Sequence, residues 1–260
     1  MLIRYLIPLL ICSLFTFADV QENIDEITYE WLVSQGELTG HTSHIHVFKK
    51  MFTEAKINRV LEFGLGFSTK YFLDCTEKVV SVEHVTNGAG PEWMKKCLEL
   101  YKGYSNWIPI AYFTGYQGDT HWAPYKFFGS ESVYQAVSFQ TSTHQNYALI
   151  DDTYVKELDL FITNLSRANK FDLAFVDSGL YLRGDLVQLL FNKVPIIIAH
   201  DTDCREVGME DDVYGYSRII TPDNYEEIYI KDLKGTTIWI IKNENYVDIL
   251  QSFKAYAQTI

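Results

Sequence analysis

The sequence predicts an α/β fold: a doubly wound, mostly parallel seven-stranded sheet with helices on both faces and an antiparallel C-terminal hairpin. Three observations point to it. From residue 57 onward, short β-branched runs alternate with amphipathic stretches of helical period, the pattern of a parallel sheet covered on both sides. The first run ends in two glycines one residue apart, and later runs end in acids. The last two runs, Glu226 to Ile230 and Thr236 to Ile241, flank Lys234-Gly235, a hairpin signal.

The core begins with Ile57 to Phe63, followed by Gly64 and Gly66 and then a helix from Ser68. Glycines at these positions let the backbone turn sharply and keep side chains away from a ligand, and the amides of a new helix attract polar or anionic groups. Lys78 to Glu83 is the second strand, ending in an acid nineteen residues after Gly64. A carboxylate there can accept both hydroxyls of a ribose whose other end lies over the glycine turn. Pro91 to Lys102 reads as a helix with proline in its first turn, and Trp107 to Phe113 as the third strand.

Residues 114–150 then interrupt the alternation, with eight aromatics but only three charged side chains, Asp119, Lys126 and Glu131. So aromatic a segment is expected to pack on the body as a lid or as added strands near the site. Asp119 is a candidate contact for a base, with Asp152 as the alternative; His121 and His144 are weaker candidates for facing a substrate. Asp152 to Asn169 is an amphipathic helix. Phe171 to Val176 is the fourth strand, ending in Asp177, and a helix follows from about Arg183 to Phe191. The fifth strand, in VPIIIAHDTD, ends at His200 and Asp201. Acids closing two successive parallel strands meet at the edge that holds the glycine turn, where ligands of such sheets gather.

At 260 residues and 47% hydrophobic content the chain fits one sizeable core. A formal charge of −12 disfavours nucleic acid and anionic membrane surfaces as partners. Residues 1–18 carry Arg4 and an uncharged apolar run ending at Ala18, shorter than the roughly 20 residues of a spanning helix. They read as a signal peptide, with an uncleaved membrane anchor as the alternative. Export to periplasm, ER lumen or extracellular space is therefore expected, or else a membrane-anchored cytosolic domain. Residues 19–56 read as a helical segment before the main domain at 57–260. His41, His44 and His46 lie together in GHTSHIH, but no carboxylate or cysteine accompanies them locally. Capping, packing or a place on the rim of the site is the reading they receive. Cys75, Cys97 and Cys204 are widely spaced and form no CxxC pair, so neither a disulfide framework nor a structural zinc is expected.

EFGLGFS after the first strand, Glu83 after the second, FDLAFVDSG at the fourth, IIIAHDTD at the fifth and the closing hairpin together resemble the class I S-adenosylmethionine-dependent methyltransferases, a Rossmann-like family. In motif style the chain is most similar to the small-molecule O-methyltransferases. The resemblance spans about residues 40–242. It implies S-adenosylmethionine as cofactor, with Glu62, Gly64, Gly66 and Ser68 around the methionine end, Glu83 on the ribose and Asp177 beside the transferable methyl. Some such enzymes bind a divalent cation through aspartates after the fourth and fifth strands. Asp177 and Asp201 match, but Thr202 replaces the usual asparagine, with Asp203 next; oxygen ligands of this kind suit magnesium or calcium. His200 is the alternative as general base, and Tyr181 and Arg183 are candidate substrate contacts.

Two other functions compete. A nicotinamide dinucleotide oxidoreductase would carry glycine where this chain has Thr69. A secreted binding or interaction protein on a catalytically silent methyltransferase scaffold would explain export, because S-adenosylmethionine is a cytosolic product. The acceptor is expected to be a small molecule, apolar or ring-bearing given the aromatic insertion.

Overall fold

The structure is a computed structural model that describes residues 43–85, 90–114, 134–138, 152–178, 183–205 and 214–260. Residues 1–18, His41, Asp119, His121, His144 and Tyr181 lie outside the described residues, as does most of the aromatic insertion.

In chain order the elements are α1 (Ile45–Glu54), β1 (Arg59–Phe63), α2 (Phe67–Cys75), β2 (Lys78–Val85), α3 (Gly90–Leu100), β3 (Trp107–Thr114), β4 (Tyr134–Ser138), α4 (Asp152–Asn169), β5 (Leu173–Val176), α5 (Arg183–Leu190), β6 (Ile196–His200), β7 (Tyr225–Ile230), β8 (Thr236–Ile241) and α6 (Val247–Ala257). They form one sheet of order β4-β3-β2-β1-β5-β6-β8-β7. All seven strands expected from the sequence are present, and β4, from the aromatic insertion, adds an eighth at the edge beside β3. Pairing is parallel from β4 through β6. Only β8 runs against its neighbours, β6 and β7.

Successive strand residues alternate between two cores, as a strand buried on both faces requires. Val60, Leu173, Phe175, Ile196 and Ile198 point to one face, where Phe48 and Met51 of α1, Phe72 of α2, Met94 and Cys97 of α3 and Phe253 of α6 cover them. Leu61, Phe63, Ala174, Val176 and Ile197 point to the other, beneath Leu158 and Ile162 of α4 and Leu186 and Leu190 of α5. Helices on both faces bring every parallel strand's carboxyl end to one edge, which carries Gly64, Glu83, Asp177 and Asp201.

Two elements matter more than their sequence suggested. In α1, Ile45, Val47, Phe48 and Met51 are wholly buried. Each such side chain contributes about 1.5–3 kcal/mol on burial, so α1 belongs to the main core. The C-terminal helix α6 was not anticipated after the hairpin; Ile249 and Phe253, four residues apart, are its buried face and its overlooked signal. Lys50 of α1 joins the two helices by donating to Ser252 Oγ at 2.7 Å.

Candidate active site at the carboxyl edge of the sheet

The turn after β1 is built around Gly64, whose φ of +98° lies in the region that favours glycine. A Cβ there would stand 2.3 Å from the Asp177 carbonyl oxygen, so even a methyl group is excluded. Gly66 differs: its φ is −174°, and an added Cβ would meet nothing within 4 Å. The space above Gly66 is open among the described residues.

Protein groups already engage the amides of this turn. Gly64 N–H donates to Val82 O, Leu65 N–H to Glu83 Oε2 at 2.7 Å, and Gly66 N–H to Thr69 Oγ1 at 2.9 Å. The turn carbonyls are held from α3 and the loop after it, by Trp93 Nε1 on Leu65 O and the Tyr101 hydroxyl on Gly66 O. The turn therefore arrives shaped before any ligand does. Its Leu65 and Gly66 amides do not serve as the free anion donors that the glycine pattern suggested.

Glu62 lies wholly enclosed behind this turn. Ser81 Oγ donates to it at 2.6 Å and Thr69 Oγ1 at 3.0 Å, and Trp107 Nε1 donates in turn to Ser81 Oγ. Burial pushes the Glu62 carboxyl up to about 8, although Ser81 and Thr69 favour its charged form. Glu62 thus braces the turn from inside and presents no open face. Glu83, expected to end β2, lies two residues before its end at Val85; it is 7% exposed, and burial raises its carboxyl to about 8 despite the Leu65 N–H. Ser68 is drawn inward, its hydroxyl 2.8 Å from His44 Nε2.

Arg183 organises the other half of the edge. Its Nη1 lies 2.9 Å from both Asp177 Oδ1 and Asp201 Oδ2, its Nε donates to Ser178 O at 2.7 Å, and its guanidinium stacks 4.0 Å from the Tyr214 ring. Asp201 adopts φ +57°, which aspartate tolerates better than most residues and which here places its carboxylate on Arg183. Desolvation works to raise the Asp177 carboxyl, but Arg183 and then His200 outweigh it and hold the group well below the usual carboxylate range.

His200, at the end of β6, is 1% exposed. Its Nε2 lies 3.1 Å from Ser43 Oγ, and its Nδ1 is 3.6 Å from both Asp177 Oδ2 and Asp201 Oδ1. Burial lowers its basicity, and Asp177 with Asp201 more than reverses this, leaving a net rise. His44, just ahead of α1, meets it ring to ring at 4.2 Å; burial first and His200 second keep its pKa well below the ordinary value.

The expected oxygen site for magnesium or calcium does not assemble. Arg183 stands between Asp177 and Asp201, a fixed cation in place of a bound one, and the Asp203 side chain is exposed. Arg183, expected to face substrate, is 5% exposed and ties the two strand ends together. Ser43 and Tyr216, whose hydroxyl donates to His200 O at 2.8 Å, join the site without having been singled out for it, and His44, read as capping, packing or on the rim, lies inside it. The His44 motif was visible in the sequence, but its partners come from β5 and β6.

No family model matches the chain, and no curated protein matches it. Among solved structures the chain is similar to an SAH-bound methyltransferase, PaMTH1, from Podospora anserina, with 13% identity and a TM-score of 0.46 over 88% of this chain and 96% of that one. It is similar also to a methyltransferase from Geobacter sulfurreducens, with 10% identity and a TM-score of 0.39 over 87% and 97%. A Corynebacterium glutamicum protein gives 11% and 0.43 over 88% and 98%. At these identities and scores none of them speaks to activity.

Proposed function

We infer that this chain is an S-adenosylmethionine-dependent methyltransferase acting on a small molecule, with O-methylation its reaction. The observation that carries this reading is the glycine turn: Gly64 is locked against Asp177, open space lies over Gly66, and Glu83 reaches the turn from the next strand. The same turn argues against a nicotinamide dinucleotide. The amides of Leu65 and Gly66, natural donors for a pyrophosphate, are taken by Glu83 and Thr69. A sulfonium cofactor without phosphates asks nothing of them.

Gly66 admits the methionine end of the cofactor, and Glu83 meets its ribose. When bound, the cofactor supplies an electrophilic methyl group. Asp177, at the tip of β5, contributes its ionised carboxylate beside that position, where negative charge favours the sulfonium. The acceptor is oriented beside the partly exposed carboxylates of Asp177 and Asp201, with His200 behind them, and proximity provides much of the acceleration. His200, whose pKa is raised by its two acids, takes the acceptor's proton. Asp119, from its place after the third strand, is assigned to the cofactor's base, and Tyr181, from its place in the loop after Asp177, to the acceptor.

Calorimetry tests the reading. Wild-type protein binds S-adenosylmethionine with micromolar affinity, and Glu83→Ala weakens it at least tenfold, about 1.4 kcal/mol; no binding by wild type ends the proposal. Residues 1–18 are assigned to export in the same reading. A C-terminal reporter active only outside the cytosol is expected to be active, and a silent one places the domain in the cytosol.

A further inference from the structure

His44, His200 and Asp177 bring three ligand-type atoms within 4.8 Å of one another, the one such cluster among the described residues. Both histidines are buried, at 0% and 1% exposure, and the Nδ1 atom of each has no hydrogen-bond partner among the described residues. Buried polar atoms of this kind ordinarily find partners, so two in one cluster ask for an explanation.

Their other nitrogens supply it. His44 Nε2 is 2.8 Å from Ser68 Oγ and His200 Nε2 is 3.1 Å from Ser43 Oγ. An imidazole whose Nε2–H donates to a hydroxyl carries its lone pair on Nδ1, and such outer hydrogen bonds commonly orient metal-binding histidines. Asp177 is divided in the same sense: Oδ1 belongs to Arg183, while Oδ2 faces His200 Nδ1 at 3.6 Å. That separation is too long for a hydrogen bond. It suits two ligands of one ion, since atoms about 2.1 Å from a tetrahedral metal lie about 3.4 Å apart.

We propose that His44 Nδ1, His200 Nδ1 and Asp177 Oδ2 form a binding site for a first-row divalent transition metal. Two imidazoles and one carboxylate suit zinc or iron and disfavour magnesium and calcium, which prefer oxygen. Three protein ligands leave a position for an exogenous oxygen. Asp177 and Asp201 outweigh Arg183 by one negative charge, so the surroundings tolerate a dication. Access runs past Asp177, whose side chain is 23% exposed. In the loaded state His200 is a ligand in place of the base assigned above, and the acceptor hydroxyl meets the metal's open position. The proposal does not depend on methyl transfer, because metal binding is measured without cofactor.

The test strips the full-length chain with a chelator and titrates zinc by calorimetry. One zinc per chain is expected. His44→Gln and His200→Gln should each weaken binding at least tenfold, whereas His46→Gln and Cys75→Ser leave it unchanged. X-ray absorption of zinc-loaded wild-type protein, which needs no variant to fold, should show a nitrogen and oxygen shell containing two imidazoles. Absence of stoichiometric zinc binding overturns the proposal. So does a sulfur-bearing shell, or affinity that falls with His46 or Cys75 and not with His44 and His200.

Discussion

Gly64 and Asp177 are in contact through their backbones, with room for no more than a hydrogen on the Gly64 Cα: a Cβ would lie 2.3 Å from the Asp177 carbonyl oxygen and 2.6 Å from its carbon. This contact fixes the distance between the glycine turn and the acid at the tip of β5. Gly64→Ala combines backbone strain at φ +98° with overlap against main chain, and should cost about 3 kcal/mol or more. Gly66→Ala should alter stability by less than about 1 kcal/mol, yet lower cofactor affinity, because its methyl enters the open space. Thermal unfolding and calorimetry on the two variants separate the roles. Equal stability losses would remove the distinction.

Glu62 and Glu83 make stability depend on pH. Both carboxyls are pushed by burial from 4.5 up to about 8, so the fold favours their protonated forms. Their stabilisation is complete below about pH 4.5 and is lost as pH rises through 8, with a slope of at most about 1.4 kcal/mol per pH unit for each group. Asp177 acts oppositely, since its depressed pKa favours the ionised form and its contribution disappears only as acid protonates it. Chemical denaturation between pH 5 and 9 should show declining stability, with a shallower decline in Glu62→Gln. A flat profile would contradict it.

Arg183 is expected to be structural first. Removing it in Arg183→Leu leaves Asp177 and Asp201 facing each other without a cation, a loss of about 3–5 kcal/mol. Arg183→Lys should recover only part of this, because an ammonium cannot reproduce the contacts to Ser178 O and the Tyr214 ring along with both acids. Asp201→Asn keeps a residue that tolerates positive φ and should be milder. Denaturant midpoints of the three variants check the order.

Phe48 tests whether α1 is part of the domain core. It is fully buried against Phe72 and Phe175, with ring centroids 4.7 and 4.8 Å away, so Phe48→Ala should cost about 3–5 kcal/mol. A much smaller loss, measured by urea unfolding, would make α1 an appendage.

The resemblance of EFGLGFS to a cofactor loop stood on glycine spacing, and Gly64 bears out the tight turn. Thr69 shows how sequence evidence can be read for the wrong cause. Its departure from the dinucleotide fingerprint was read as a sign against that cofactor, whereas in the structure the residue accepts the Gly66 N–H and donates to buried Glu62. Glu62 was legible as the acid before the turn and not as an internal brace, since nothing in its neighbours foretold Ser81 and Trp107 from adjacent strands.

By itself the sequence determined the alternation of strands and helices, the antiparallel end of the sheet, the sharp turn at Gly64 and the acids at one edge. These follow from local period and backbone freedom. Only the tertiary structure decided what the edge residues do. Arg183 became the cation between Asp177 and Asp201, which dissolved the oxygen-only metal set. His44, isolated from any acid in its own segment, met His200 and Asp177 because α1 packs under β5 and β6. Side-chain chemistry at a sheet edge depends on which strands are neighbours, and strand order is not encoded in any one stretch of residues.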